Sequence, residues 1–148
     1  MTVARRTLLV AAGAALGGVF RIVLAVILPV AASDPALAAP ALLVVNASGS
    51  LLAGFLRGLA VGEERAGRSA EGMEAFMVVG FCGGYTSYSA FVASIHEGIA
   101  GHGPWTVALA AATLVLCPLA AALGMRASVG PPRGYPPRPA ADAEKERR

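Results

Sequence analysis

Residues Gly80 to Phe91 read GFCGGYTSYSAF, and the fold turns on how this stretch is understood. It lies in an apolar run that begins near Met73. Yet it sets two adjacent glycines and four hydroxyl side chains (Tyr85, Thr86, Ser87, Tyr88) where a membrane helix normally carries Leu and Val. Either the helix breaks here or it lines something polar. In lipid, a break is tolerated only where protein or water satisfies the freed N–H and C=O groups, so a break at membrane depth implies a cavity or an interface.

Outward from this stretch, the chain is suited to a bilayer. Of its 148 residues 56% are hydrophobic and only 14% are charged, too few to cover a soluble domain of this size. The apolar residues form four runs, about Thr7 to Ala32, Leu37 to Val61, Met73 to Ile99 and Trp105 to Gly124. Each is near or above the roughly 20 residues that span a bilayer core as helix. The pattern predicts an all-α membrane protein with four transmembrane helices in one domain over residues 1–125, the third helix broken near its middle between Gly83 and Thr86. Charged residues at Arg57, Glu63, Glu64, Arg65 and Arg68 mark one short loop, and His102, Gly103 and Pro104 another. Beyond Arg126 the sequence becomes rich in proline and charge, which cannot support a packed core, so residues 126–148 read as a disordered tail.

Arg5 and Arg6 ahead of the first run, with Ala36-Leu37-Ala38 after it, resemble a secretory or twin-arginine signal. A signal's apolar core is only about 7–15 residues, whereas this run is much longer and carries Arg21 in its middle, so it reads as a retained helix. Charge also gives an orientation. With all four runs spanning, Arg5, Arg6, Arg57, Arg65, Arg68 and every Lys and Arg from Arg126 onward fall on one side, and none falls on the other. The positive-inside rule then puts both termini in the cytoplasm of a multi-pass protein of the cell inner (plasma) membrane. The net charge of +3 follows from this loop excess, and no nucleic-acid partner is implied.

Few polar side chains lie within the runs. Arg21 is the only charge near the middle of a run, and a central Arg costs about 2.5–3.5 kcal/mol on the insertion scale, so it faces water, an anion or backbone carbonyls, or else pins a bent helix. Asn46, amid Leu, Val, Ala and Gly, either holds helices together or donates its amide to a passing anion. Tyr88 and Phe91, three apart, share a face if helix resumes after the glycines. They are core packing, or they aim electropositive ring edges into a pore beside the hydroxyls of Ser87 and Ser89. No Asp or Glu lies deep within a run, Glu74 and Glu97 falling near the ends of the third, whereas proton-coupled transporters typically place one there; a donor-rich, carboxylate-free interior favours an anion. Cys82 and Cys117 behave as small buried hydrophobes rather than as a disulfide or metal pair. There is no nucleotide cradle, metal cluster or triad, and His96 and His102 face no identifiable nucleophile. The chain does not read as an enzyme.

Laid out in order, these residues resemble the CrcB/Fluc family of fluoride ion channels from about Thr7 to Gly124. Gly13, Gly17 and Arg21 are similar to the family's Gly-rich lead into Arg. Val45, Asn46, Gly49 and Ser50 are similar to its Val-Asn-x-x-Gly-Ser pattern, and Gly83, Gly84, Thr86, Ser87, Tyr88, Ser89, Ala90 and Phe91 to its Gly-Gly-x-Thr-Thr-Phe-Ser-Thr-Phe core. The resemblance implies an antiparallel, dual-topology type of dimer with two pores, passing fluoride by passive diffusion and so protecting against fluoride toxicity. It implies a fluoride pathway on Asn46, Tyr88, Phe91, Ser87, Ser89, Thr113 and Arg21, with Thr113 where the family has a fourth-helix serine. It also implies a structural sodium ion at the dimer centre, held by the backbone carbonyls of Gly83 and Thr86.

The chain departs from the pattern at Tyr88 (Phe in the family), Leu42 (commonly Thr), Ala90 (Thr) and Ser94 (often Glu). Its one-sided charge suggests a heterodimer with an oppositely oriented homologue rather than a homodimer. Two other classes stand beside the channel: a small four-helix multidrug or cation exporter, which needs a membrane carboxylate, and a non-conducting membrane scaffold subunit, in which Arg21 and Asn46 only hold helices together.

Overall fold

The computed structural model describes residues 1–27 and 35–129. All regular structure among them is helical: α1 (Val3–Ile27), α2 (Pro35–Arg65), a short α3 (Glu71–Met73) leading into a π-helix (Glu74–Cys82), α4 (Gly83–Tyr85), and α5 (Tyr88–Ser128). Four segments are long and apolar enough to cross a membrane: Val3–Val26, Pro40–Arg65, Glu71–Ala93 and Gly103–Ser128. Their number and order follow the four apolar runs, because only a stretch of about 20 apolar residues meets the bilayer's requirement.

Glycines set the helix contacts. On α1, a Cβ at Gly13 would overlap the Phe76 carbonyl oxygen, and one at Gly17 would overlap that of Phe81 and sit 2.8 Å from the Tyr85 nitrogen. Later residues of α1 thus meet later residues of the 71–85 rod, and the two run parallel. A Cβ at Gly54 of α2 would overlap the Ala121 carbonyl oxygen, and Gly58 lies against Met125 and Ser128, so α2 runs parallel to the end of α5. Contacts of Ser48 with Tyr85 and of Arg57 with Glu74 run the other way, so α2 is antiparallel to the 71–85 rod. Backbones this close gain dispersion contacts that larger side chains would hold apart.

Three expectations are corrected. The charged stretch after Val61 is not a loop from its start: α2 continues through Glu63 and Glu64 to Arg65. The chain turns just beyond, where Gly67 adopts φ +74°, a conformation open to a residue without Cβ. Arg57 lies inside α2 and forms ion pairs with Glu74 on the π-helix and, at 3.5 Å, with Glu64. Second, Gly83 and Gly84 do not break the helix. Gly83 has helical angles (φ −64°, ψ −36°), and the extended residues are Thr86 and Ser87. Third, the stretch around Pro104 is wound as helix within α5, which is 41 residues long.

A straight α5 would separate Phe91 from Thr113 by about 33 Å at 1.5 Å per residue. Both line one cavity with Asn46, so α5 folds back between them. The intervening sequence holds Gly98, Gly101, Gly103 and Pro104, and a proline removes a helical N–H and clashes with the preceding turn. At the far end α5 runs on through Arg126 to Ser128. The rest of the expected tail lies outside the described residues.

Candidate functional site

The interruption at Thr86 and Ser87 has an identifiable cause on α2. Asn46, 8% exposed, accepts the Ser87 N–H on Oδ1 at 3.0 Å and donates from Nδ2 to the Ser87 carbonyl at 3.5 Å. In a continuous helix the Ser87 N–H would bond the carbonyl of Gly83, four residues back. Asn46 diverts it and takes the place of the missing turn. Ser87 then caps α5, its Oγ accepting the Ala90 N–H at 3.1 Å, as a serine N-cap does.

Beside this clamp lies a cavity of about 320 Å³, lined by Asn46, Ser50, Thr86, Ser87, Tyr88, Phe91, Thr113, Leu114, Cys117 and Pro118. It brings together five of the expected pathway residues: Asn46, Ser87, Tyr88, Phe91 and Thr113. Ser89 is outside the lining, though its Oγ lies 3.4 Å from that of Ser87. Arg21 is outside it too. It sits on α1, which packs against the 71–85 rod, and its buried Nε has no hydrogen-bond partner among the described residues. Of the departures, Leu42 is half-buried on α2 and Ala90 lies in the first turn of α5, while the side chain of Ser94 is outside the described residues.

The polar groups differ in what they offer. Ser87 Oγ receives Ala90's N–H, leaving its own proton free for Ser89 or for a solute. Asn46 keeps one amide hydrogen beyond the bond to Ser87. Thr86 and Thr113 are different: each turns its hydroxyl proton onto its own helix, at the Cys82 and Leu109 carbonyls, both at 2.9 Å. They present lone pairs rather than donors. The Tyr88 and Phe91 rings lie 6.2 Å apart and tilted by 43°, and Tyr88 is 79% exposed.

Ser50 and Pro118 were not singled out by the sequence as lining residues. Ser50 stands one helical turn past Asn46, which the i, i+4 spacing makes visible in retrospect. Pro118, with no N–H, leaves the Leu114 carbonyl without its helical donor, and both residues border the cavity.

A multi-pass membrane protein with a cavity between its helices, where a few amide and hydroxyl groups stand among apolar side chains and no acid lines the wall among the described residues, is the class that fold and site define. Over residues 8–125 the chain matches the family model described as CrcB-like protein, Camphor Resistance (CrcB). It belongs to that family. Membership supports a fluoride-channel type of function in general, and the family is one of membrane channels rather than of enzymes. No curated protein matches the chain.

Proposed function

We propose that this protein is a fluoride-selective passive channel that lets fluoride leave the cytoplasm, working as one subunit of an antiparallel dimer with two pores. The observation that carries the reading is the donor set of the cavity: the Ser87 hydroxyl and the remaining Asn46 amide hydrogen, beside the Tyr88 and Phe91 rings, with no carboxylate in the lining among the described residues. Fluoride is small and strongly hydrated, so it gives up water only where several close donors replace it, and a narrow donor-lined path excludes larger chloride. Tyr88 and Arg21 favour an assembly over a lone chain. A phenol largely exposed at membrane depth and an arginine Nε without an acceptor both gain partners from a second subunit or a passing anion.

The break of the third spanning helix, at Thr86 and Ser87, suits the sodium ion implied by the family. Diverting the Ser87 N–H to Asn46 leaves the Gly83 carbonyl without its helical donor, and Gly83 faces open space on the outside of the bundle. The Thr86 carbonyl stands past the helix end. These two oxygens fit a hard cation, which would supply positive charge to tie two such breaks together at a dimer centre. The charge bias of the loops favours pairing with an oppositely oriented homologue.

The test is flux from liposomes loaded with potassium fluoride or chloride, with the chain alone and together with its nearest four-helix homologue from the same genome. Fluoride release without chloride release or proton coupling supports the reading. No fluoride release in either arrangement would leave a scaffold role in its place.

A further inference from the structure

Tyr85 belongs neither to the cavity lining nor to the expected pathway, yet it is 7% exposed and held from three sides. Its ring stacks on Phe81 with centroids 6.2 Å apart and meets Phe20 of α1 at 5.6 Å. Gly17 gives its backbone room on α1. On α2, a Cβ at Gly49 would sit 3.0 Å from the ring and overlap the Thr86 methyl. The hydroxyl crosses to α2, 3.0 Å from Ser48 Oγ. Ser48 directs its own proton to the Val45 carbonyl at 3.0 Å, so Tyr85 is the donor to Ser48. Val45 and Ser48 bracket Asn46, the residue that clamps the Ser87 backbone.

From this geometry we infer that Tyr85 is a positioning residue: its hydroxyl, through Ser48, fixes the turn of α2 that carries Asn46, and so sets the register of the Asn46 clamp on Ser87. The aromatic contacts with Phe20 and Phe81 anchor the ring to α1 and the π-helix, so the hydroxyl measures the position of α2 against a fixed reference. Glycine at 49 keeps that spacing short. The consequence for anion flux rests on the fluoride-channel reading; the positioning itself does not.

The test uses the full chain in detergent or liposomes and follows hydrogen exchange at the Ser87 amide. Tyr85→Phe keeps the ring and removes only the donor, and Ser48→Ala removes the same bond from the other side. Each is expected to speed exchange at Ser87 at least tenfold while leaving the amides of α1 and the end of α2 unchanged. In an Asn46→Ala background, Tyr85→Phe should add nothing, because the clamp it acts through is gone. Exchange at Ser87 equal to wild type, acceleration spread evenly over all helices, or full additivity with Asn46→Ala would each overturn the inference. Fluoride flux, measured in parallel, should fall with the exchange effect. Coupled exchange in a protein that passes no fluoride, either alone or together with its four-helix homologue, would uphold the positioning role and overturn the channel reading instead.

Discussion

Asn46 invites a substitution whose two consequences point in opposite directions. Asn46→Asp keeps an oxygen to accept the Ser87 N–H, now at 3.0 Å, and replaces the amide donor with a charge. Asn46→Ala removes both and leaves the Ser87 N–H unsatisfied, a loss of about 1–3 kcal/mol for a buried polar group. If Asn46 only holds the break in place, the aspartate variant is the milder of the two. If it also faces the anion, the aspartate is far worse. A cavity of 320 Å³ puts an ion about 4 Å from its wall, and two like charges at that distance repel by about 4 kcal/mol at an effective dielectric of 20. At about 1.4 kcal/mol per tenfold that is between two and three orders of magnitude in occupancy, less whatever water on the open side screens. The expected order of fluoride flux is therefore wild type, then alanine, then aspartate at one-hundredth of wild type or below, read with an electrode on proteoliposomes. Yield and elution profile should rank the alanine variant last. Aspartate flux within threefold of wild type in well-assembled protein would remove Asn46 from the anion's path.

Phe91→Ile removes an aromatic ring from the cavity lining while keeping an apolar side chain, and fluoride efflux should fall at least tenfold with little change in thermal stability. Gly54→Ala places a Cβ on the Ala121 carbonyl oxygen; forcing α2 and α5 apart is expected to cost about 1–3 kcal/mol, seen as a lower melting temperature. The Arg57 pair with Glu74 is half-exposed, so the coupling between Arg57→Gln and Glu74→Gln in a double-mutant cycle should be no more than about 1 kcal/mol. Mapping terminus accessibility in cells should find one orientation for the chain expressed alone. Equal populations of both, with full flux, would contradict pairing with an oppositely oriented homologue.

The spans were legible because bilayer thickness acts directly on composition: a run of apolar residues long enough to cross has few other readings. Their ends were less so, since helical hydrogen bonding continues past the apolar stretch wherever charged side chains find partners, as Arg57 does with Glu64 and Glu74. Asn46, Ser87, Tyr88 and Phe91 could be named because a polar or aromatic residue beside small ones stands out in an apolar run, whereas Thr113 came only from the family resemblance. Their roles could not be named. Which hydroxyls donate and which are turned back onto their own helix depends on rotamers and on neighbours 41 positions away, as with Asn46 and Ser87. The π-winding of Glu74–Cys82 had no signal in the residue pattern, and the fold-back within α5 hides behind a helical segment that sequence reading divides into helix, loop and helix.

Glycine and break are separate devices in this chain, although they stand side by side. Gly84 lies on the Ala14 backbone and Gly80 on that of Val10 and Gly13, and both glycines stand in helical backbone. A break at Gly83 and Gly84 would have forfeited the contact that brings α1 against the rod. The interruption falls instead at the first residue past that contact whose N–H a buried side chain on α2 can take, which is Ser87. Membrane burial enforces the exchange, because an N–H released from a helix in lipid must find another acceptor, and Asn46 offers one without charge. The same amide keeps a hydrogen beyond its two bonds to Ser87. The group that ends the helix is thereby also placed at the wall of the cavity, so the backbone geometry and a donor in the cavity lining depend on one residue.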